Sequence, residues 1–255
     1  PASLHVIGKD ILRFHAVYWP AFLLAAGIKL PNRVFGHGWI LSGDEKMSKS
    51  KGNILNPLEI IDTYGIDELR YYLMKEVSHG SDGSISLKSL ENCINSDLAN
   101  NYGNLCQRVF SFIKNNCKNK VNKTKNLSDS DKKLIEQTKI LTKNLRDEMS
   151  NQNLNNYIKS VINISFLTNK YINDEEPWKL KNNVEKMNNI LHLSLEQIAK
   201  ISILLNPIIP EATTKVLDAL KINSKFRNLS FLEGKEIISN KIKIKELNIL
   251  FKKIN

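Results

Sequence analysis

Cysteine is scarce in these 255 residues: Cys93, Cys106 and Cys117 are the only three, and none shows C-x-x-C spacing. Neither a disulfide framework nor a structural zinc site is readable from them, and a reducing compartment fits best. Glycine (11) and proline (7) are too few for a collagen-like or low-complexity chain. Long apolar runs are also missing. The longest uncharged one, Ala16 to Ile28, has 13 residues and contains Pro20, short of the roughly 18–20 needed to cross a bilayer. No targeting signal follows Pro1, and an opening on Pro1 rather than Met gives the expectation that the chain is the rear part of something longer. What is present, 42% apolar and 25% charged residues, describes a globular chain able to bury about 70–75% of its unfolded surface.

Charge is unevenly spread. Of the net +11, residues 1–80 carry nine Lys or Arg against eight Asp or Glu, leaving 28 against 18 for the remainder. The densest basic patch is acid-free and holds Lys114, Lys118, Lys120, Lys123 and Lys125. Such an excess points to a polyanion, nucleic acid above all. The competing reading is a solvated lysine face in a chain rich in Lys, Asn and Ile.

The opening reads as a strand, Leu4 to Ile7, ended by Gly8, then a helix from Ile11 to about Ala26 capped by Asp10 and closed by Gly27. Pro20 inside that helix predicts a bend near His15 to Trp19. A second strand is expected over Val34 to Leu41, then a polar loop, Ser42 to Asn53, framed by Gly43 and Gly52. Behind it the chain reads as helical: Pro57 to Tyr64, Asp67 to Val77, a turn at His79 to Ser84, and a long helix capped by Ser86. Further helices are predicted at Ser128–Met149, Leu154–Ile172, Val184–Leu205 and Pro210–Leu220, packing as an antiparallel bundle. The alternating segment Lys241 to Lys245 reads either as an edge strand or as a helix laid back on the body.

Several residues carry chemistry. Lys46 and Lys49, three apart with hydroxyls between them on a Gly-flanked loop, suit the neutralisation of a triphosphate, the alternative being an ordinary exposed lysine loop. Asp10 lies at the carboxyl end of a strand, where α/β sheets bind nucleotides, though a plain helix cap explains it equally. His15 and Trp19, four apart with Phe14 beside them, form an aromatic wall suited to a thioether, or a core helix with one satisfied histidine. Trp178 after Pro177 suits stacking on an unpaired base, and Asn104 with Arg108, four apart, suits hydrogen bonds to base edges.

The stretch KMSKS at Lys46–Ser50, after Gly36-His37-Gly38-Trp39, resembles the second signature of class I aminoacyl-tRNA synthetases. The surroundings narrow the resemblance to the methionyl-tRNA synthetase family: HVIGKDILRFHAVYWPAFL upstream, NLCQR at Asn104–Arg108 and EEPW at Glu175–Trp178 downstream, in the family's order over nearly the whole chain. The resemblance implies an α/β remnant of a Rossmann-like catalytic domain followed by an all-α anticodon-binding helix bundle. Its divisions are expected at residues 1–41 (catalytic remnant), 42–96 (loop and connector helices), 97–232 (anticodon-binding bundle) and 233–255 (tail).

By the same resemblance, Lys49 and Lys46 contact ATP phosphates and Asp10 holds the adenylate. Phe14, His15 and Trp19 line the methionine pocket, and Asn104, Arg108, Pro177 and Trp178 read the anticodon. ATP with Mg²⁺, methionine and tRNA(Met) are the implied partners, in a cytoplasmic, monomeric enzyme. The family's other signature, His-x-Gly-His, is absent from these residues. That signature, with any zinc site, is expected ahead of Pro1, so the chain alone is expected to be inactive. Two alternatives stay open, a non-catalytic RNA-binding helical module and another class I synthetase.

Overall fold

The computed structural model describes residues 2–42, 45–46, 55–78, 80–124, 126–232 and 236–254. Strand β1 (His5–Gly8) pairs in parallel with β2 (Val34–His37), in register from His5↔Val34 to Gly8↔His37. The segment between them is not one uniform helix. A 3₁₀ turn (Lys9–Ile11) leads into a π-helical stretch (Phe14–Tyr18) and then α1 (Trp19–Ala25). Pro20 has no N–H to donate one turn back, and the wider turn before it lets the Trp19 N–H reach the Phe14 carbonyl. The expected bend therefore takes the form of a π segment. Asp10 does not cap this segment: it lies inside the 3₁₀ turn, which follows Gly8 with no side-chain cap.

The single strand predicted over Val34–Leu41 is broken at Gly38 and Trp39. Its second piece, β3 (Ile40–Ser42), joins a different sheet, antiparallel to β4 (Glu45–Lys46) and parallel to β5 (Gly83–Ile85). The cause is the chain crossing at Ser81–Asp82. The Asp82 carboxylate accepts the Trp39 N–H at 2.8 Å, and the Trp39 carbonyl accepts the Gly83 N–H at 2.9 Å. A Cβ on Gly38 would sit 2.2 Å from the Ser81 carbonyl oxygen, so only glycine admits the crossing. The segment read as a turn at His79–Ser84 thus ends in a strand.

Helices α2 (Pro57–Tyr64) and α3 (Ile66–Glu76) follow, the first capped by the Asn56 side chain accepting from the Leu58 N–H. Helix α4 (Leu87–Cys93) starts at a Ser86–Ser89 capping box and runs on through a π-helical stretch (Ile94–Gly103) into α5 (Asn104–Cys117). Helices α6 (Asp129–Thr142) and α7 (Leu145–Ser150) were expected as one helix, but the chain turns at Lys143–Asn144. Then come α8 (Leu154–Glu175), α9 (Val184–Leu205), α10 (Pro210–Ala219) and the short α11 (Leu229–Leu232).

The core lies between α8 and α9, where Ile158, Val161, Ile164, Leu195, Ile198 and Ala199 are fully buried. The larger of these side chains each contribute about 1.5–3 kcal/mol. Two buried tyrosine hydroxyls are paired across it: Tyr102 Oη meets Ser202 Oγ at 2.7 Å, and Tyr157 Oη donates to the Leu204 carbonyl at 2.8 Å. Helix α3 is locked to the bundle by its polar face. Buried Asp67 accepts the N–H groups of Ala212 (2.8 Å) and Glu211 (3.4 Å) at the start of α10, and Arg70 donates to the carbonyls of Ile208 and Pro207. The lysine run after α5 conceals strand β6 (Lys120–Asn122), which pairs antiparallel with β7 (Lys241–Lys243). Of the two readings of the tail, the strand is the one adopted. The Glu196 carboxylate accepts the N–H groups of Ile237 and Ile238 and holds the approach to it. Among the described residues no helix is long and apolar enough to cross a membrane.

Candidate functional site

The carboxyl ends of β1 and β2 lie side by side, which in a parallel sheet is where ligands bind. Lys9 and Asp10 follow β1, and His37 ends β2. Asp10 is exposed, with one carboxylate oxygen 2.4 Å from where a Gly8 Cβ would be, so the absence of that Cβ lets this carboxylate lie back over the strand end. Lys9 Nζ reaches Asp82 at 2.5 Å and lies 6.0 Å from the Trp39 ring centroid. The lysine hydrogen bond, then the Trp39 N–H, hold the Asp82 carboxyl below the usual carboxylate range. Lys9 and Asp82 therefore tie the carboxyl end of β1 to the root of the β3–β4 hairpin. Sequence reading missed this pair because its members become neighbours only through the chain crossing at Gly38.

The aromatic group forms beside it. His15 and Trp19, both half-buried, approach edge to face with centroids 6.2 Å apart, and His15 Nδ1 is 3.0 Å from the Ile11 carbonyl. His5 on β1 joins them, 5.1 Å from Trp19 at an interplanar angle of 85°. No sequence signal marked His5, since it sits on the strand and meets Trp19 only through folding. Phe14, expected in the same wall, is exposed and packs edge-on against Tyr18 instead.

A second constellation lies on the helical part. Helix α8 is closed by Glu176, the residue after its last, whose left-handed backbone (φ 44°) turns the chain into the 3₁₀ turn Pro177–Lys179. Pro177 is buried while Trp178 stays 39% exposed. The Arg108 guanidinium lies 5.9 Å from the Trp178 ring centroid and donates to Asn173 Oδ1 at 2.7 Å. Together with Phe112, Asn115 and Asn116 of α5 they border a cavity of about 320 Å³ that Pro177 and Ile172 also line. Asn104 is exposed one turn earlier on α5 and does not line this cavity. Ser130 and Lys186 brace the turn through Glu175 at 2.6 and 2.9 Å. Burial alone would raise the Glu175 carboxyl, but these two partners outweigh it and hold it low.

Lys49 lies outside the described residues, as does the side chain of Lys46; the backbone of Lys46 pairs with Leu41 at the foot of the loop. Among the described residues no group of three or more His, Cys, Asp or Glu could hold a metal ion.

Two family models cover most of the chain. "tRNA synthetases class I (M)" matches residues 2–110 and "Anticodon binding domain of methionyl tRNA ligase" matches residues 121–255. The chain is 42% identical over 233 residues to a methionine-tRNA ligase of Rhizobium meliloti, spanning 91% of this chain and 45% of that protein. It is 40% identical over 264 residues to one of Rickettsia conorii, spanning 99% and 51%. Mycobacterium tuberculosis methionyl-tRNA synthetase bound by methionyl-adenylate superposes with a TM-score of 0.92 at 34% identity, over 99% of this chain and 50% of that one. The chain thus spans about half the length of the relatives it matches.

Proposed function

The chain belongs to the methionyl-tRNA ligase family, and from that premise we propose that it serves ATP-dependent activation of methionine and transfer of the methionyl group to tRNA(Met). The methionine carboxylate attacks the α-phosphate of ATP, giving methionyl-adenylate and pyrophosphate. The acyl group then passes to the 3′ end of the tRNA. We assign both steps to a cytoplasmic, monomeric protein longer than these 255 residues, and to this chain alone we assign neither.

In this reading residues 1–41 carry the end of the catalytic domain, 42–96 the loop and connector, 97–232 the anticodon-reading bundle and 233–255 the tail. Lys49, with Lys46, neutralises the departing pyrophosphate, and Mg²⁺ enters on the phosphates of ATP. Asp10 holds the adenylate at the carboxyl end of β1. His15 and Trp19 enclose the thioether, whose sulfur gains about 0.3–1.5 kcal/mol against an aromatic ring. Arg108 and Asn104 face unpaired base edges, and Trp178, set by Pro177, provides the stacking surface.

The observation that carries this reading is the meeting of Arg108 on α5 with Trp178 in the turn after α8 at one open cavity. A part-exposed indole with a guanidinium beside it at the mouth of such a cavity offers a base a stacking face and hydrogen-bond donors for its edge. Amino-acid-dependent pyrophosphate exchange by the full-length enzyme tests the chemistry. Exchange driven by leucine, isoleucine or valine in place of methionine would reject it. Binding of tRNA(Met) by the chain itself tests the RNA half of the reading.

A further inference from the structure

The lysine run singled out in the sequence folds into a shape that the base-reading site leaves unused. In the β6–β7 ribbon Val121 and Ile242 are paired and buried, so the alternate side chains of both strands face outward. The outward set comprises Lys120, Asn122, Lys241 and Lys243, all exposed. The register sets Lys120 directly opposite Lys243. Like charges at directly opposed positions disfavour strand pairing, and here the buried Val121–Ile242 pair beneath them keeps the ribbon closed.

The nearby carboxylates do not relieve this charge. Glu246 of the tail is bonded to Lys114, and Glu236 to Lys123. Among the described residues Lys118, Lys120, Lys241, Lys243 and Lys245 have no ion pair, and all five are exposed. The backbone that presents them is fixed at both ends, by the Lys123 N–H to the Asn240 carbonyl at 2.7 Å and the Ile244 N–H to the Asn119 carbonyl at 3.0 Å. Lysines two apart on such a strand stand about 6–7 Å from each other, a spacing comparable with that of successive phosphates along a nucleic-acid strand. Helix α5 joins the ribbon to Arg108, and at about 1.5 Å per residue the two are roughly 15 Å apart along its axis.

We propose that the outer face of the β6–β7 ribbon, with Lys118 and Lys245 at its edge, is a phosphate-backbone contact for the same RNA whose unpaired bases meet Arg108 and Trp178. This rests on the tRNA reading of that site and extends it from base contacts to backbone contacts. Lysines on a fixed strand position a nucleic acid without reading its sequence, and they make binding salt-dependent.

The test is binding of a methionine-acceptor tRNA transcript to the full chain by fluorescence anisotropy between 50 and 200 mM salt, for wild type, Trp178→Ala and the triple variant Lys120→Gln/Lys241→Gln/Lys243→Gln. Each lost phosphate contact removes about 0.7–0.9 from the slope of log K against log salt, so the triple variant is expected to lose roughly 2–3. Trp178→Ala is expected to weaken binding about equally at every salt concentration, with the slope unchanged. A triple variant with unchanged circular dichroism and a wild-type slope overturns the ribbon while leaving the base-reading site intact. Absence of wild-type binding overturns both. The triple variant Lys120→Arg/Lys241→Arg/Lys243→Arg keeps the charges and is expected to keep the slope, and a slope lost in it as well overturns the assignment.

Discussion

The Arg108 guanidinium faces the Trp178 indole at 5.9 Å while a second bond, to Asn173, fixes its orientation. Arginine so held is a planar donor already aimed at the cavity, and little rotamer entropy remains to be lost when a base arrives. Stacking on an aromatic is worth about 1–3 kcal/mol per base, so Trp178→Ala is expected to weaken tRNA affinity about 5- to 150-fold. Because the ring is part-exposed and Pro177 carries the buried side of the turn, thermal unfolding of the free variant should stay near wild type. An unchanged dissociation constant would remove Trp178 from the site.

Gly38 gives a prediction about the scaffold. The Cβ of Gly38→Ala would meet the Ser81 carbonyl oxygen at 2.2 Å and the Asp82 nitrogen at 2.5 Å, and both are backbone atoms with no rotamer to yield. The crossing would have to open, with loss of the Trp39–Asp82 bond, at a cost of about 1–3 kcal/mol or more. Urea unfolding should show a lower midpoint at unchanged m-value. A variant as stable as wild type would show that the crossing is not tight.

The helices were legible because each repeats its apolar face over several turns: α2, α9 and α10 follow the predicted spans within a residue. The βα opening was legible from Gly8 and Gly27, and NLCQR and EEPW pointed to Arg108, Pro177 and Trp178, which meet at one cavity that Asn104 does not line. Strands β4, β5 and β6 were not legible. Three residues such as Gly83–Ile85 or Lys120–Asn122 are too few for alternation to register, and their partners lie far along the chain. The same holds for Asp67 over the start of α10 and for His5 against Trp19, which are products of tertiary contact with no local signature. Asp10 illustrates the opposite error: Gly8 lets the chain enter a 3₁₀ turn directly, so the acid read as a cap sits inside it.

The loop predicts chemistry. On the role proposed for Lys49, Lys49→Ala in the full-length enzyme removes one cationic donor to the pyrophosphate, and losing a donor of this kind typically costs about 2.7–4 kcal/mol. Adenylate formation should slow about 10²- to 10³-fold with little change in the affinity for methionine, since Lys49 acts on charge that develops at the phosphates. Pyrophosphate exchange measures this, and a rate within a few-fold of wild type rejects the role.

Glu68 gives a pH dependence with a definite sign. Its carboxyl is pushed up from 4.5 to about 7, above all by burial; its own backbone N–H opposes this, the carboxylates of Asp67 and Glu211 add to it, and Lys215 pulls the other way. Between pH 4.5 and 7 the folded chain therefore holds a proton that the unfolded chain has released, and stability falls as pH rises through that window. The contribution is complete below 4.5 and lost above 7. At 1.36 kcal/mol per unit the shift corresponds to at most about 3 kcal/mol. Because the group is only partly buried, solvent screening reduces this to about 1–2 kcal/mol. Glu68→Gln stays neutral throughout, so its stability should gain on wild type as the pH is raised. Urea titrations of both proteins at pH 4.5, 6 and 7.5 measure the difference. Parallel pH profiles for the two would mean that Glu68 ionises in the folded chain as it does in water.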